Sequence, residues 1–141
     1  MTIARFGACA LVALLALGAC AKSSDSSTSG ASVAPLGVGG KIYQTNCSSC
    51  HQTSGKGVPG TFPPLVGNDV VVGDAGHVIH IVKYGLTGVQ TVGGASYNGI
   101  MPAWGSTLSN DDIAQAVSYI RSAWGNKASA VREADVAAVK Q

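Results

Sequence analysis

The sequence predicts an all-α domain of three to five short helices wrapped around a centre that their own side chains do not fill. Three observations predict it. Segments near residues 39–49, 74–85 and 109–126 pair helix start and stop signals with apolar residues at helical spacing. Between the second and third lies Leu86–Leu108, 23 residues rich in glycine and without period, longer than an ordinary structureless loop in a compact domain. A pair of cysteines followed at once by a histidine stands at Cys47-Ser48-Ser49-Cys50-His51. The 141 residues, 46% of them apolar, have room for one domain and not for two. Nine Lys+Arg against seven Asp+Glu leave a formal charge of +2 with only 11% of residues charged. That excludes the basic footprint of a nucleic-acid binder and an acidic disordered tail.

Residues 1–19 read as an address. Arg5 begins an uncharged run, Phe6–Ala19, that is shorter than the ~20 residues a membrane-spanning helix needs. Leu17-Gly18-Ala19-Cys20 resembles the lipobox of bacterial lipoproteins, in which cleavage before the cysteine is followed by lipid attachment to its sulfur. Lipid on Cys20 also removes a free thiol from an oxidising compartment, where an unpaired cysteine is a liability. Ala21 in place of Asp favours the outer membrane, so the expected location is extracytoplasmic, in the periplasm, on a membrane surface. Residues 20–34 hold six serines and no large apolar residue before Val33, the composition of a flexible tether.

The folded part is expected over residues 35–126. Its first helix spans about Gly39 to Ser49, turns Ile42 and Tyr43 inward and delivers Cys47 and Cys50. A middle helix starts on Asp74 as N-cap and ends at Gly85, with Val78, Ile81 and Val82 on one stripe and His77 and His80 on the wet side. Ser109 and Asp112 have the spacing of a capping box for the last helix. Ile113, Ala116, Val117, Ile120 and Trp124 follow its apolar period, and Gly125-Asn126 ends it. Residues 127–141 carry Val131, Ala134, Val136 and Val139 among charges, which predicts a short amphipathic helix packed on the domain or on a partner.

The chemistry concentrates at Cys47-Ser48-Ser49-Cys50-His51. Two thiols one helical turn apart can meet the two vinyl groups of a haem while the adjacent imidazole reaches the iron, and C-x-x-C-H is the attachment signature of c-type haem. Two rivals share those residues. A thioredoxin-like pair normally follows a buried strand, and no β-rich segment precedes residue 47. A zinc site of Cys47, Cys50, His77 and His80 has neither the usual separation nor the usual histidine spacing. A six-coordinate haem needs a second axial ligand, and once Met1 leaves with the leader Met101 is the one thioether remaining. It stands in an aperiodic stretch, Tyr97–Gly105, where Gly99 and Pro102 disfavour helix.

With these residues in place the chain resembles a class I monohaem cytochrome c from about Val33 to Asn126. The resemblance is carried by Cys47-Ser48-Ser49-Cys50-His51, Phe62-Pro63-Pro64-Leu65 and Met101-Pro102 ahead of the last main helix. It implies one haem c held by thioethers from Cys47 and Cys50, with His51 proximal and Met101 distal. It also implies a proline carbonyl accepting the proximal N–H, from Pro63 or Pro64, with Pro64 favoured. It places Leu65 among the haem contacts and sets Gly39 or Gly40 against Tyr119 where the first and last helices cross. Trp104, Tyr97 and Asn98 are candidate hydrogen-bond donors to the propionates.

The function so implied is one-electron transfer between redox partner proteins: a dehydrogenase or respiratory complex on one side, a terminal oxidase or reductase on the other. The carrier is no enzyme in its own right, although it can serve as the electron-transfer subunit of one. The resemblance extends to cytochrome c domains of alcohol-type dehydrogenases and of oxidase or nitrite reductase systems. Two other readings remain at this level, a haem peroxidase-like or gas-sensing protein with a labile distal Met101, and a non-haem structural lipoprotein.

Overall fold

A computed structural model describes residues 36–141. The expected leader, the lipid site Cys20 and the serine-rich tether lie outside the described residues. Helix α1 (Val38–Asn46) begins without a side-chain cap and buries Gly40 and Tyr43. Cys47 closes it and opens one further turn, α2 (Ser48–His51), so the expected single helix to Ser49 is two pieces joined at the first cysteine. Asn68 caps the short α3 (Asp69–Val72) by accepting the Val70 N–H.

Helix α4 (Ala75–Tyr84) has the boundaries its sequence predicts. Asp74 accepts from the Gly76 and His77 N–H groups, and Gly85 ends the helix with φ of 81°. Its buried residues are Val78, Ile79 and Val82, so Ile79 takes the buried place expected of Ile81. The reason is that α4 has two apolar faces. Ile79 joins a core cluster with Val131 and Val136 of the C-terminal segment, while Val78, Ile81 and Val82 line a cleft.

The aperiodic stretch after α4 is not wholly irregular. It contains an antiparallel hairpin, β1 (Gln90–Val92) and β2 (Ala95–Tyr97), in the register Gln90 to Tyr97 and Val92 to Ala95. Gly93 and Gly94 turn it, both with positive φ, as a two-residue hairpin turn of the mirror-image type requires. Just beyond, Leu86 and Met101 exchange both backbone hydrogen bonds at 2.9 Å.

Helix α5 (Asn110–Ser122) starts on the expected capping box and buries Ile113, Ala114, Ala116, Val117, Ile120 and Arg121. It stops before Trp124, which does not continue the helical stripe: a 3₁₀ turn (Ala123–Gly125) follows, with Trp124 itself at φ 53°. That conformation is costly for a bulky residue. It is held by the indole N–H donating to the Thr53 carbonyl at 3.1 Å and by edge contacts with Tyr43 and Tyr119. Helices α1 and α5 cross at Gly39, where a Cβ would run into the Gln115 carbonyl and the Tyr119 Cβ. The C-terminal segment packs on this same domain through α6 (Glu133–Ala138), with Val136 fully buried. Among the described residues no helix is long and apolar enough to cross a membrane.

Candidate functional site

The break between α1 and α2 places both cysteines and the histidine. Ser49–His51 continue as a turn because the Cys50 and His51 N–H groups both reach back to the Cys47 carbonyl, at 3.2 and 2.9 Å. Cys47 and His51 are each 8% exposed and Cys50 is half-buried, and both thiols are free. Burial, reinforced by Cys50, pushes the Cys47 thiol up to about 11. A redox dithiol normally follows a buried strand and has a lowered thiol pKa; here the pair follows helix α1, which does not favour the thioredoxin-like alternative.

His51 Nδ1 lies 3.0 Å from the Pro63 carbonyl. A carbonyl only accepts, so Nδ1 carries the hydrogen and the lone pair is on Nε2, the form a metal needs. Burial moves the His51 pKa below its ordinary value, against the opposing pull of that hydrogen bond, which keeps the ring neutral. The acceptor is therefore Pro63 and not the favoured Pro64. The Pro64 carbonyl is engaged elsewhere, accepting from Asn68 Nδ2 at 2.8 Å. Behind His51, the buried Tyr43 hydroxyl donates to the Gln52 carbonyl at 2.6 Å, fixing a turn in which Gln52 has φ of 63°.

These residues face a cleft that opens to solvent. Cys47, Cys50, His51, Leu65, Met101 and Trp104 all line it, and valines, isoleucines and Phe62 make up much of the rest. Met101 and Trp104 pack against the cluster of Val78, Val82 and Ile113. Cys47 belongs to a second cluster, with Tyr43, Val71 and Ile120, on which Leu65 packs. The cleft is thus walled by the core itself, with Cys47 in one cluster and Met101 packed against the other.

Three expected contacts, Tyr97, Pro64 and Asn98, are not among its lining residues. Tyr97 sits on β2, and it is β1 that contributes Gln90, Thr91 and Val92 to the wall; Pro64 is turned to Asn68. Asn98 is exposed, and its backbone N–H donates to the Gly60 carbonyl at 3.2 Å. His77 and His80 are exposed as expected, although His77 also borders the cleft. Among the described residues no three His, Cys, Asp or Glu side chains gather as a metal set, so the zinc arrangement does not form.

Sequence reasoning missed Asn68 and Asn126. Asn68 lines the cleft and caps α3. Asn126, 7% exposed, accepts from the Gly67 N–H and donates to the Leu65 and Ile120 carbonyls, tying the loop after His51 to α5. Asn68 did carry a local signal, an N-cap residue ahead of Asp69, whereas the partners of Asn126 at Gly67 and Leu65 lie 59 and 61 residues away and leave no local pattern to read.

The residues present fit a c-type haem: two free thiols one turn apart, an imidazole with one ring nitrogen fixed by a carbonyl, and a largely apolar cleft with a thioether in its lining. Residues 38–124 match the family described as cytochrome c. The chain belongs to the cytochrome c family. Cytochrome c-552 of Thermus thermophilus is 39% identical over 92 residues, which cover 62% of this chain and 69% of that protein. The cytochrome c subunit of the quinone-type alcohol dehydrogenase of Gluconacetobacter polyoxogenes is 38% identical over 101 residues, 70% of this chain but 21% of that subunit. The FixP subunit of the cbb3-type cytochrome c oxidase of Azorhizobium caulinodans is 34% identical over 87 residues, covering 61% of this chain and 29% of FixP. Membership makes this a c-type cytochrome whose business is electron transfer and not catalysis, with haem c attached covalently as in the family. The chain spans a fifth to a third of the longer of these relatives.

Proposed function

We propose that this cytochrome is a one-electron carrier with a single haem c on Cys47 and Cys50, ligated by His51 and Met101. It is tethered by lipid on Cys20 to an extracytoplasmic membrane face, the outer membrane favoured. It relays electrons between a dehydrogenase or respiratory complex and a terminal oxidase or reductase. The observation that carries this reading is the cleft itself, lined by Cys47, Cys50, His51 and Met101, with Cys47 in one core cluster and Met101 packed against the other.

When bound, the haem supplies a one-electron couple. The chain does the rest. Cys47 and Cys50 hold it through their sulfurs, and Pro63 fixes the plane of His51 and raises its basicity as a donor. Met101, a soft and weak donor, favours the reduced state. Its backbone is held on both sides by Leu86, which opposes the labile-methionine reading of a peroxidase or sensor. His51 and Met101 would hold the group from two side chains of the protein, which would leave no place for a substrate to bind there and suit the group to electron transfer.

Partner choice has a chemical basis in the cleft mouth. From Gly57 to Asn68 and from Leu86 to Asn110 the chain carries no Asp, Glu, Lys, Arg or His. Val89 and Ile100 stand exposed there, at 67% and 68%. A partner docking over these two segments meets no charged side chain of theirs, which favours an apolar contact surface on the partner. The Ser-rich run before Val33 supports the tether, since it gives the domain reach without competing for the core.

The visible spectrum of the purified protein tests the reading. Low-spin c-type bands in the ferrous state and a weak sulfur-to-iron charge-transfer band in the ferric state are expected. A high-spin spectrum with rapid CO binding overturns the Met101 assignment, and a colourless product from cells able to attach haem overturns the reading altogether. For the anchor, Cys20→Ser is expected to move the protein from the membrane fraction to the soluble one; continued membrane association refutes the lipid site.

A further inference from the structure

Residues 127–141 lie beyond the part of the chain that matches the family, yet they connect to the loop bearing Met101. We propose that this C-terminal segment is a clamp that positions Met101 through the last turn of α4, with Lys83 as the positioning residue that links them. The proposal rests on Met101 being the distal ligand.

The segment is fixed first on α5. The Ala128 N–H donates to the Arg121 carbonyl at 3.1 Å, and Arg121 Nε donates to the Ser129 carbonyl at 2.9 Å. The Val131 N–H donates to Ser118 Oγ at 2.8 Å, and that hydroxyl donates to the Val131 carbonyl at 3.1 Å. Val131 and Val136 then enter the cluster of Val78, Ile79 and Val82, against which Met101 and Trp104 also pack. From α4, Lys83 Nζ donates to the Val136 carbonyl at 2.9 Å and the Val139 carbonyl at 3.0 Å, and the Tyr84 hydroxyl donates to the Val139 carbonyl at 3.0 Å.

The same turn of α4 carries the Met101 loop. A helix ends with carbonyls that have no partner within it. Here the Val82 carbonyl accepts the Trp104 N–H and the Lys83 carbonyl accepts the Gly105 N–H, both at 3.0 Å. One residue past the helical cap, Leu86 pairs with Met101 itself. The Met101 loop is therefore registered on a helix terminus, the part of a helix most prone to fray. The C-terminal segment holds that terminus through the Lys83 ammonium and the Tyr84 hydroxyl. A weak thioether donor needs its loop held to a fraction of an ångström, so stiffness at Lys83 is felt at Met101.

The test uses the full haem-loaded chain and the variant Lys83→Met, which keeps the aliphatic stem and deletes both ammonium bonds. Ferric wild type and variant are titrated with urea while the sulfur-to-iron band and the far-UV ellipticity are followed together. Amide exchange is read at Trp104, Gly105 and Val117. The expected result is a band that bleaches well before the helices melt, with exchange at Trp104 and Gly105 faster by roughly tenfold or more and Val117 unchanged. A band and ellipticity that shift together, or exchange that rises equally at all three amides or at none, overturns the clamp. Val136→Ala loosens the segment from its buried side and is expected to give the same split, so the test stands even where Lys83→Met folds poorly. A wild-type protein with no sulfur-to-iron band instead refutes the Met101 ligation, a result distinct from failure of the clamp.

Discussion

Met101→Ala is expected to give a protein that keeps its covalent haem and loses its identity as a carrier. The cofactor stays because Cys47, in the other core cluster, and its neighbour Cys50 are untouched, and His51 keeps its hydrogen bond to Pro63. The loop stays as well, since Leu86 holds residue 101 by backbone atoms alone. What goes is the soft sulfur donor. The ferric sulfur-to-iron band disappears, the iron turns high-spin or takes up water or another nitrogen donor, and CO binds the ferrous form. The reduction potential falls, because methionine ligation is what raises it. The drop is a part of the roughly 0.8 V over which axial ligands and surroundings place haem potentials. Absorption spectroscopy, CO titration and potentiometry of the same sample check it, and an unchanged spectrum refutes the distal role of Met101.

Much of this was legible in the sequence because the decisive signals are local. Asp74 and Gly85 bound α4, Ser109 and Asp112 start α5, and the Cys47–His51 spacing names its own chemistry. Met101 could be found by elimination. The parts that were not legible are those fixed across space. Pro63 and Pro64 are equivalent neighbours in sequence, and the choice between them is made by the Asn68 amide, which occupies the Pro64 carbonyl.

Ile79 is buried because a segment some 50 residues later covers that face of α4, which no periodicity within the helix reports. Trp124 continues the spacing of α5 but is pulled into a left-handed turn by Tyr43, Tyr119 and the Thr53 carbonyl. The hairpin did leave a signal, Gly93-Gly94 between short strands. With three residues on each side, however, alternation is too brief to stand out from a glycine-rich loop.

The second large effect is expected at Gly39, where α1 meets α5. Ordinarily Gly→Ala inside a helix helps, by about 0.5–1 kcal/mol, because it restricts the unfolded chain. At Gly39 the new methyl would overlap the Gln115 carbonyl and come within 3.1 Å of the Tyr119 Cβ. Neither obstacle is the tip of a side chain that can swing aside. The helices must separate, and overpacking of this kind costs about 1–3 kcal/mol, here at the upper end because backbone has to move. The cost reaches the site, since α1 leads directly into Cys47 and His51 and its Tyr43 braces the turn after them. Gly39→Ala is therefore expected to lower the urea midpoint with little change in slope, a net loss of about 2 kcal/mol. Gly37→Ala, at the N-cap of α1 with nothing within 4 Å of the added Cβ, is expected to cost only what a poorer capping residue costs, about 0.5–1 kcal/mol, with no clash at the crossing. Truncating Gln115 to Ala should not rescue Gly39→Ala, because the obstructing atom is its carbonyl oxygen and remains in place; full rescue would show that the two helices do not meet by their backbones at this crossing.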